Sequence, residues 1–162
     1  MGIKQRLIDF SRGDGLRRFW RLYFWREQTK SGLLRRILTF LCARSANAHG
    51  GYVGAGAHFA DIPSLPHGLH GIFISCAASI GRGCRIYQNV TLGEVNGSAP
   101  QIGDDVLIGA GAVLVGDITV GDGAKIGAGA TVFADVPAGA TVVCVPPRVI
   151  VSPRRIRERK QA

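Results

Sequence analysis

The sequence predicts a mainly β fold, a parallel β-helix of three-sided coils, preceded by a short α-helical segment. Three observations point there. Aliphatic residues recur six apart without exception at Ile102, Ile108, Leu114, Val120, Ile126 and Val132. Four residues after each stands a small or aliphatic partner: Val106, Ala112, Ile118, Ala124, Ala130 and Val136. The composition is rich in glycine (23 residues) and poor in aromatics (7%), which suits a thin regular prism better than a bulky globular core.

A period of six is neither 3.6 nor 2, so it describes neither one amphipathic helix nor one plain strand. Three hexapeptides close one triangular coil, each supplying a short flat strand and a tight corner. The aliphatic residue points inward and the small partner fills the corner. Glycine follows the aliphatic residue in Ile102-Gly103, Ile108-Gly109, Val120-Gly121 and Ile126-Gly127, where a turn needs backbone freedom. Successive coils stack at about 4.8 Å and pair their amides. The same step runs earlier through Ile74, Ile80, Ile86 and Leu92, and through Val53, Phe59 and Leu65. Two segments break it, Pro66-His67-Gly68-Leu69-His70-Gly71 and residues 93–100. Insertions in solenoids become loops, expected here on one functional face.

Residues 1–48 read as a basic amphipathic helical segment, 49–147 as the β-helix and 148–162 as a basic tail. Apolar residues from Leu7 to Phe24 recur at helical spacing among arginines, and a second amphipathic stretch runs from Leu33 to Leu41. Gly13, Gly15 and Ser31-Gly32 are the expected breaks. Such helices are expected to cap one end of the solenoid, an end that must be covered. They also have the composition of helices that lie on a membrane surface.

The net charge of +9 is unevenly spread. Residues 1–44 carry eleven Lys/Arg against three Asp/Glu, residues 45–147 three against seven, and residues 148–162 six against one. A mildly acidic middle is flanked by two basic arms, which suit an anionic partner or a solvated helix face. No nucleic-acid motif appears and the basic residues form no single stripe, so nucleic acid is not an expected partner. Cys42, Cys76, Cys84 and Cys144 show neither a C-x-x-C pair nor zinc spacing, and no metal is expected. The run from Ile37 to Cys42 is too short to span a bilayer, and no signal peptide is read at the N-terminus. The expectation is a cytoplasmic protein with reduced thiols, one that can associate with a membrane. No Gly-x-Gly-x-x-Gly, P-loop or Gly-x-Ser-x-Gly supports a nucleotide-binding or hydrolase fold.

Across about residues 52–150 the chain resembles the hexapeptide-repeat acyltransferases, within them the serine acetyltransferase branch. The motifs are Ile86-Tyr87-Gln88-Asn89-Val90-Thr91-Leu92-Gly93, then Ile102 to Ala112, Gly123 to Ala130, and Val145-Pro146-Pro147-Arg148-Val149-Ile150. The resemblance implies left-handed winding, where elementary chirality alone favours right-handed crossovers. It implies acetyl-CoA as co-substrate and a homotrimer with active sites between neighbouring β-helices. It aligns the family's catalytic histidine with His67, with His70 as runner-up in the same loop. An imidazole titrates near neutral pH and can take the proton of an acceptor hydroxyl. His49 and His58 read as structural or interfacial. By the same resemblance Gly109-Ala110 and Gly127-Ala128 match turns that meet the pantetheine arm, and Arg148 matches a basic position near the CoA end.

The chain departs from the serine-enzyme pattern at three places. Pro66 stands where the family has an Asp before the histidine. Tyr52 stands where an Asp orients the imidazole. Ser98-Ala99 replace an Arg-His pair that would help hold the amino-acid carboxylate. The resulting expectation is an O-acetyltransferase acting on a sugar or glycan hydroxyl. The alternatives are a serine O-acetyltransferase and a non-catalytic trimeric scaffold.

Overall fold

The computed structural model describes residues 16–145. The N-terminal residues 1–15, the tail 148–162 and Arg148 lie outside the described residues.

Among the described residues two helices come first. α1 (Arg17–Gln28) and α2 (Gly32–Ala48) are joined by a three-residue connection ending at Ser31. The break at Ser31-Gly32 falls where the sequence places it. The second helix, however, runs seven residues past Leu41. Its last turns stay helical because Cys42 and Ala46 continue the buried face begun by Leu38.

The helices cover the first coil of the solenoid. Trp20 and Tyr23 meet Phe59 edge-on at 5.1 and 5.4 Å between ring centroids, and such contacts add to the area the rings bury. The Tyr23 hydroxyl donates to the Ala57 carbonyl. Burial pushes the Tyr23 phenol up to about 12. Arg26 is only 1% exposed. Its guanidinium lies 4.4 Å from the centre of the Tyr23 ring and bonds Glu27 at 2.6 Å, which compensates a charge taken out of water. The capping role expected of these helices is thus met by aromatic packing. Neither described helix is long and apolar enough to cross a membrane.

Among the described residues thirteen short strands then wind five coils, and parallel pairing joins equivalent strands of successive coils. Face one holds β1 (Tyr52–Val53), β3 (Phe73–Ile74), β6 (Thr91–Gly93), β9 (Val113–Val115) and β12 (Thr131–Val132). Face two holds β2 (His58–Phe59), β4 (Ser79–Ile80), β7 (Gln101–Ile102) and β10 (Thr119–Val120), and Val136 pairs with Val120 below them. Face three holds β5 (Arg85–Ile86), β8 (Leu107–Ile108), β11 (Lys125–Ile126) and β13 (Thr141–Val142), with Ser64 pairing Arg85 above. Every residue of the six-step series from Ile102 to Val132 is buried, as is every partner from Val106 to Val136. The period therefore marks the inside of the prism, as read from the sequence.

The two register breaks leave from different edges. Residues 66–71 lie between faces three and one, and residues 94–100 lie between faces one and two. The expectation that both would share one functional face is corrected here. A loop's edge depends on the strands before and after it, and these differ for the two insertions.

Candidate active site

The edge between faces three and one carries most of the residues singled out by sequence. Each coil turns there: residues 66–71 in the first, 87–89 in the second, 109–111 in the third, 127–129 in the fourth and 143–145 in the fifth. The corners are tied by backbone bonds, Asn89 N–H to His70 O at 3.0 Å, Gly111 N–H to Gln88 O at 2.9 Å and Gly129 N–H to Ala110 O at 2.8 Å. His67, His70, Gly109-Ala110 and Gly127-Ala128 thus share one continuous ridge. At about 4.8 Å per coil, Ala110 and Ala128 lie about 10 and 15 Å along the axis from the histidine loop.

The histidine loop is firmly built. Leu69 and Ile72 are buried, pinning it to the prism interior. Two tight turns close it, Gly68 N–H to Leu65 O at 3.1 Å and Ile72 N–H to Leu69 O at 3.0 Å. Gly68 and Gly71 have φ of 65° and 66°, which side-chain-bearing residues resist. His67 and His70 project outward and are exposed. The Nδ1 of His70 donates to the His67 carbonyl at 2.6 Å, since a carbonyl oxygen can only accept. That bond assigns the proton of His70 to Nδ1 and secures the His67 backbone. The His67 ring has no hydrogen-bond partner among the described residues, and its ring neighbour is Tyr87 at 6.1 Å. Tyr87 stood in a resemblance motif of the sequence but was given no role in the site. Its signal was its place one coil below His67, visible only once the coils are stacked.

Other assignments are sharpened. The glycines at 109 and 127 are explained by their own neighbours. A Cβ on Gly109 would come within 2.6 Å of Ala128 N, and one on Gly127 within 2.9 Å of Val142 O. The outward small residues are Ala110, half-buried, and Ala128, exposed. Cys144, at the fifth corner, donates its thiol to the Ala128 carbonyl at 3.2 Å. His49 caps α2 through its own Nδ1 and the Ser45 carbonyl at 2.7 Å, a structural role. His58 points outward from β2.

The departures from the serine-enzyme pattern are scattered. Tyr52 is 43% exposed on face one. Ser98 closes a two-residue hairpin with Val95 around Asn96 and Gly97, both at positive φ, and Ala99 is buried at its base. This hairpin leaves from the far side of face one relative to His67. Among the described residues no group of three or more His, Cys, Asp or Glu side chains is placed to hold a metal.

Residues 99–134 match the model of the bacterial transferase hexapeptide (six repeats). The serine acetyltransferase of Synechococcus elongatus is 36% identical over 134 residues, covering 80% of this chain and 53% of the relative. The structure of the Neisseria gonorrhoeae serine acetyltransferase in complex with serine matches with a TM-score of 0.70 at 32% identity, covering 81% of this chain and 55% of that one. That of the Brucella abortus enzyme in complex with coenzyme A matches at 0.68 and 30% identity, covering 82% and 52%. Along its solenoid the chain is similar to the serine acetyltransferases among the hexapeptide-repeat transferases. Its solenoid is their left-handed parallel β-helix. It spans about half the length of the curated relatives it matches, 53% of the Synechococcus elongatus protein.

Proposed function

We propose that this chain transfers an acetyl group from acetyl-CoA to an acceptor hydroxyl, with His67 as general base. The observation that carries this is the shared ridge, which sets a histidine at one end of a run of small outward corners. An extended pantetheine arm laid along Ala110 and Ala128 would bring its thioester to the histidine loop. His67 takes the hydroxyl proton as the oxygen attacks the thioester carbonyl, and returns it to the departing thiolate. Residues 49–147 are the catalytic domain in this reading, and Arg148 is the cation reserved for a CoA phosphate.

For the acceptor, the named relatives support L-serine better than the sugar or glycan hydroxyl expected from the sequence. Serine O-acetylation is therefore the leading reading. A different hydroxyl is the second reading, favoured by Pro66 and by Ser98 with the buried Ala99, which leave these positions without the polar or charged groups that would grip an amino acid, and by Tyr52, which offers the imidazole no carboxylate. Steady-state acetyl transfer against L-serine, simple sugars, nucleotide-sugars and glycan fragments decides between them. A kcat/KM on L-serine of roughly 10⁴ M⁻¹s⁻¹ or more establishes the first. Failure of every acceptor, together with no CoA binding, leaves a non-catalytic scaffold.

A homotrimer is part of the proposal. The His67 loop and the 94–100 hairpin stand on opposite sides of face one, so they meet in one site only if a neighbouring copy brings its own. Light scattering tests this, and a fully active monomer would exclude a shared site.

A further inference from the structure

We propose that the helical cap is a docking surface for an anionic phospholipid membrane. α2 has two apolar faces. Leu38, Cys42 and Ala46 form the buried one. On the other side Leu33, Ile37 and Phe40, spaced by four and three residues, fall on one stripe and are 72%, 48% and 66% exposed. A helix apolar on both sides has a second partner, because a contiguous apolar stripe on a soluble surface marks a contact.

The charges of the cap, with Arg36 and Arg44 beside the stripe on α2, identify the partner. Residues 16–48 hold eight Lys/Arg and one carboxylate, Glu27, which is bonded to the buried Arg26. Arg18, Arg21, Lys30, Arg35, Arg36 and Arg44 are all exposed. Hydrocarbon rimmed by cations matches acyl chains beneath anionic headgroups. A second copy of this face would set Arg36 and Arg44 against their own kind, at a like-charge cost. A nucleic acid would satisfy the arginines and leave the apolar stripe in water. On α1, Trp25 is 54% exposed. It lies beside a groove of about 1010 Å³ that is also lined by Arg18, Arg21, Phe24, Ile62 and Leu65. Among the described residues no carboxylate lines that groove, which gives one phospholipid headgroup and the start of its chain a seat. Leu65 is two residues before His67, so docking through the cap brings the histidine loop close to the membrane. The docking does not depend on acetyl transfer.

The test is co-sedimentation of the purified full-length protein with vesicles. One set is phosphatidylcholine alone and the other contains about 30% phosphatidylglycerol, at low and high salt. The expected result is binding to the anionic vesicles that weakens as salt rises, with little binding to the neutral ones. Ile37→Ser with Phe40→Ser should weaken binding at least about tenfold, and Arg36→Gln or Arg44→Gln about fivefold each. Circular dichroism and a thermal melt check that these exposed substitutions leave the fold intact. No binding to anionic vesicles overturns the proposal. So does equal binding of wild type and the Ile37/Phe40 variant, because then the basic termini hold the vesicle. So does a change of oligomer size in that variant with vesicle binding unchanged, which would make the stripe a contact between copies.

Discussion

Residues 66–71 and 94–100 both interrupt the six-residue step, the first adding three residues and the second four. They are built differently. The first sends Leu69 and Ile72 into the prism and closes on two hydrogen-bonded turns, so its outward histidines stand on a base fixed by the core. The second is a hairpin whose tip, Val95 to Gly97, is exposed and shaped by its own two-residue turn. Glu94 at its start accepts from the Ser75 hydroxyl at 2.9 Å, a surface bond to the coil above. The difference teaches that an insertion pinned by buried side chains can hold a reacting group still, while one shaped by a local turn is suited to adapt to a neighbour.

The comparison breaks first at His67. His67→Ala should lower turnover by roughly 10²–10⁴ with circular dichroism and melting unchanged. Removing Val95–Ser98 should lower turnover less, because on the shared-site proposal the hairpin lines a neighbour's site without carrying the chemistry. Unchanged turnover in a protein that remains an oligomer would remove the hairpin from that site, and a loss as large as that of His67→Ala would give it a catalytic part.

Stability gives the next contrast. Leu69→Ala removes a fully buried side chain from under the histidine loop and should cost about 2–5 kcal/mol in urea unfolding. Val95→Ala, on the exposed tip, should stay within about 0.5 kcal/mol. Equal effects would mean that the two loops are not anchored differently.

The turn glycines separate the loops more finely. Ala at Gly71 would take a positive φ and press its Cβ on the Asn89 side chain of the coil below, a cost of about 2 kcal/mol or more. Ala at Gly97 meets only open space and should cost about 1 kcal/mol. Thermal melts of the two variants rank them.

The smallest effect is a labelling rate. Cys144 lies on the histidine ridge and Cys76 at the other edge of face one, and both are exposed, while Cys42 and Cys84 are buried with thiols pushed up by desolvation. Iodoacetamide should modify the first two in the folded protein and the last two only on unfolding. CoA at about ten times its Kd should slow Cys144 about tenfold and leave Cys76 alone. Equal protection of both would remove the ridge from the CoA path.

Much of the fold was legible because each hexapeptide obeys the same local rule. Ile102 to Val132 point inward one after another, so a single count along the chain names the core. His67 was legible by resemblance and by its place in a register break. Tyr87 and Cys144 were not, since both look like ordinary corner residues until stacking aligns them with His67 and Ala128. The double face of α2 was partly legible, as Leu33 and Phe40 already follow a helical spacing.

The sequence alone determined the period, the inward residues, the places where the step fails and the division between basic ends and an acidic middle. These depend on residues near one another in the chain, where side-chain direction follows from backbone geometry. The tertiary structure alone decided which edge each insertion leaves from, which corners stack into a ridge, and that Trp20 and Tyr23 close the first coil on Phe59. Those relations join residues about sixteen to forty positions apart, and no local spacing encodes them. They arise when the coils stack, because pairing between coils sets every corner against the one above it.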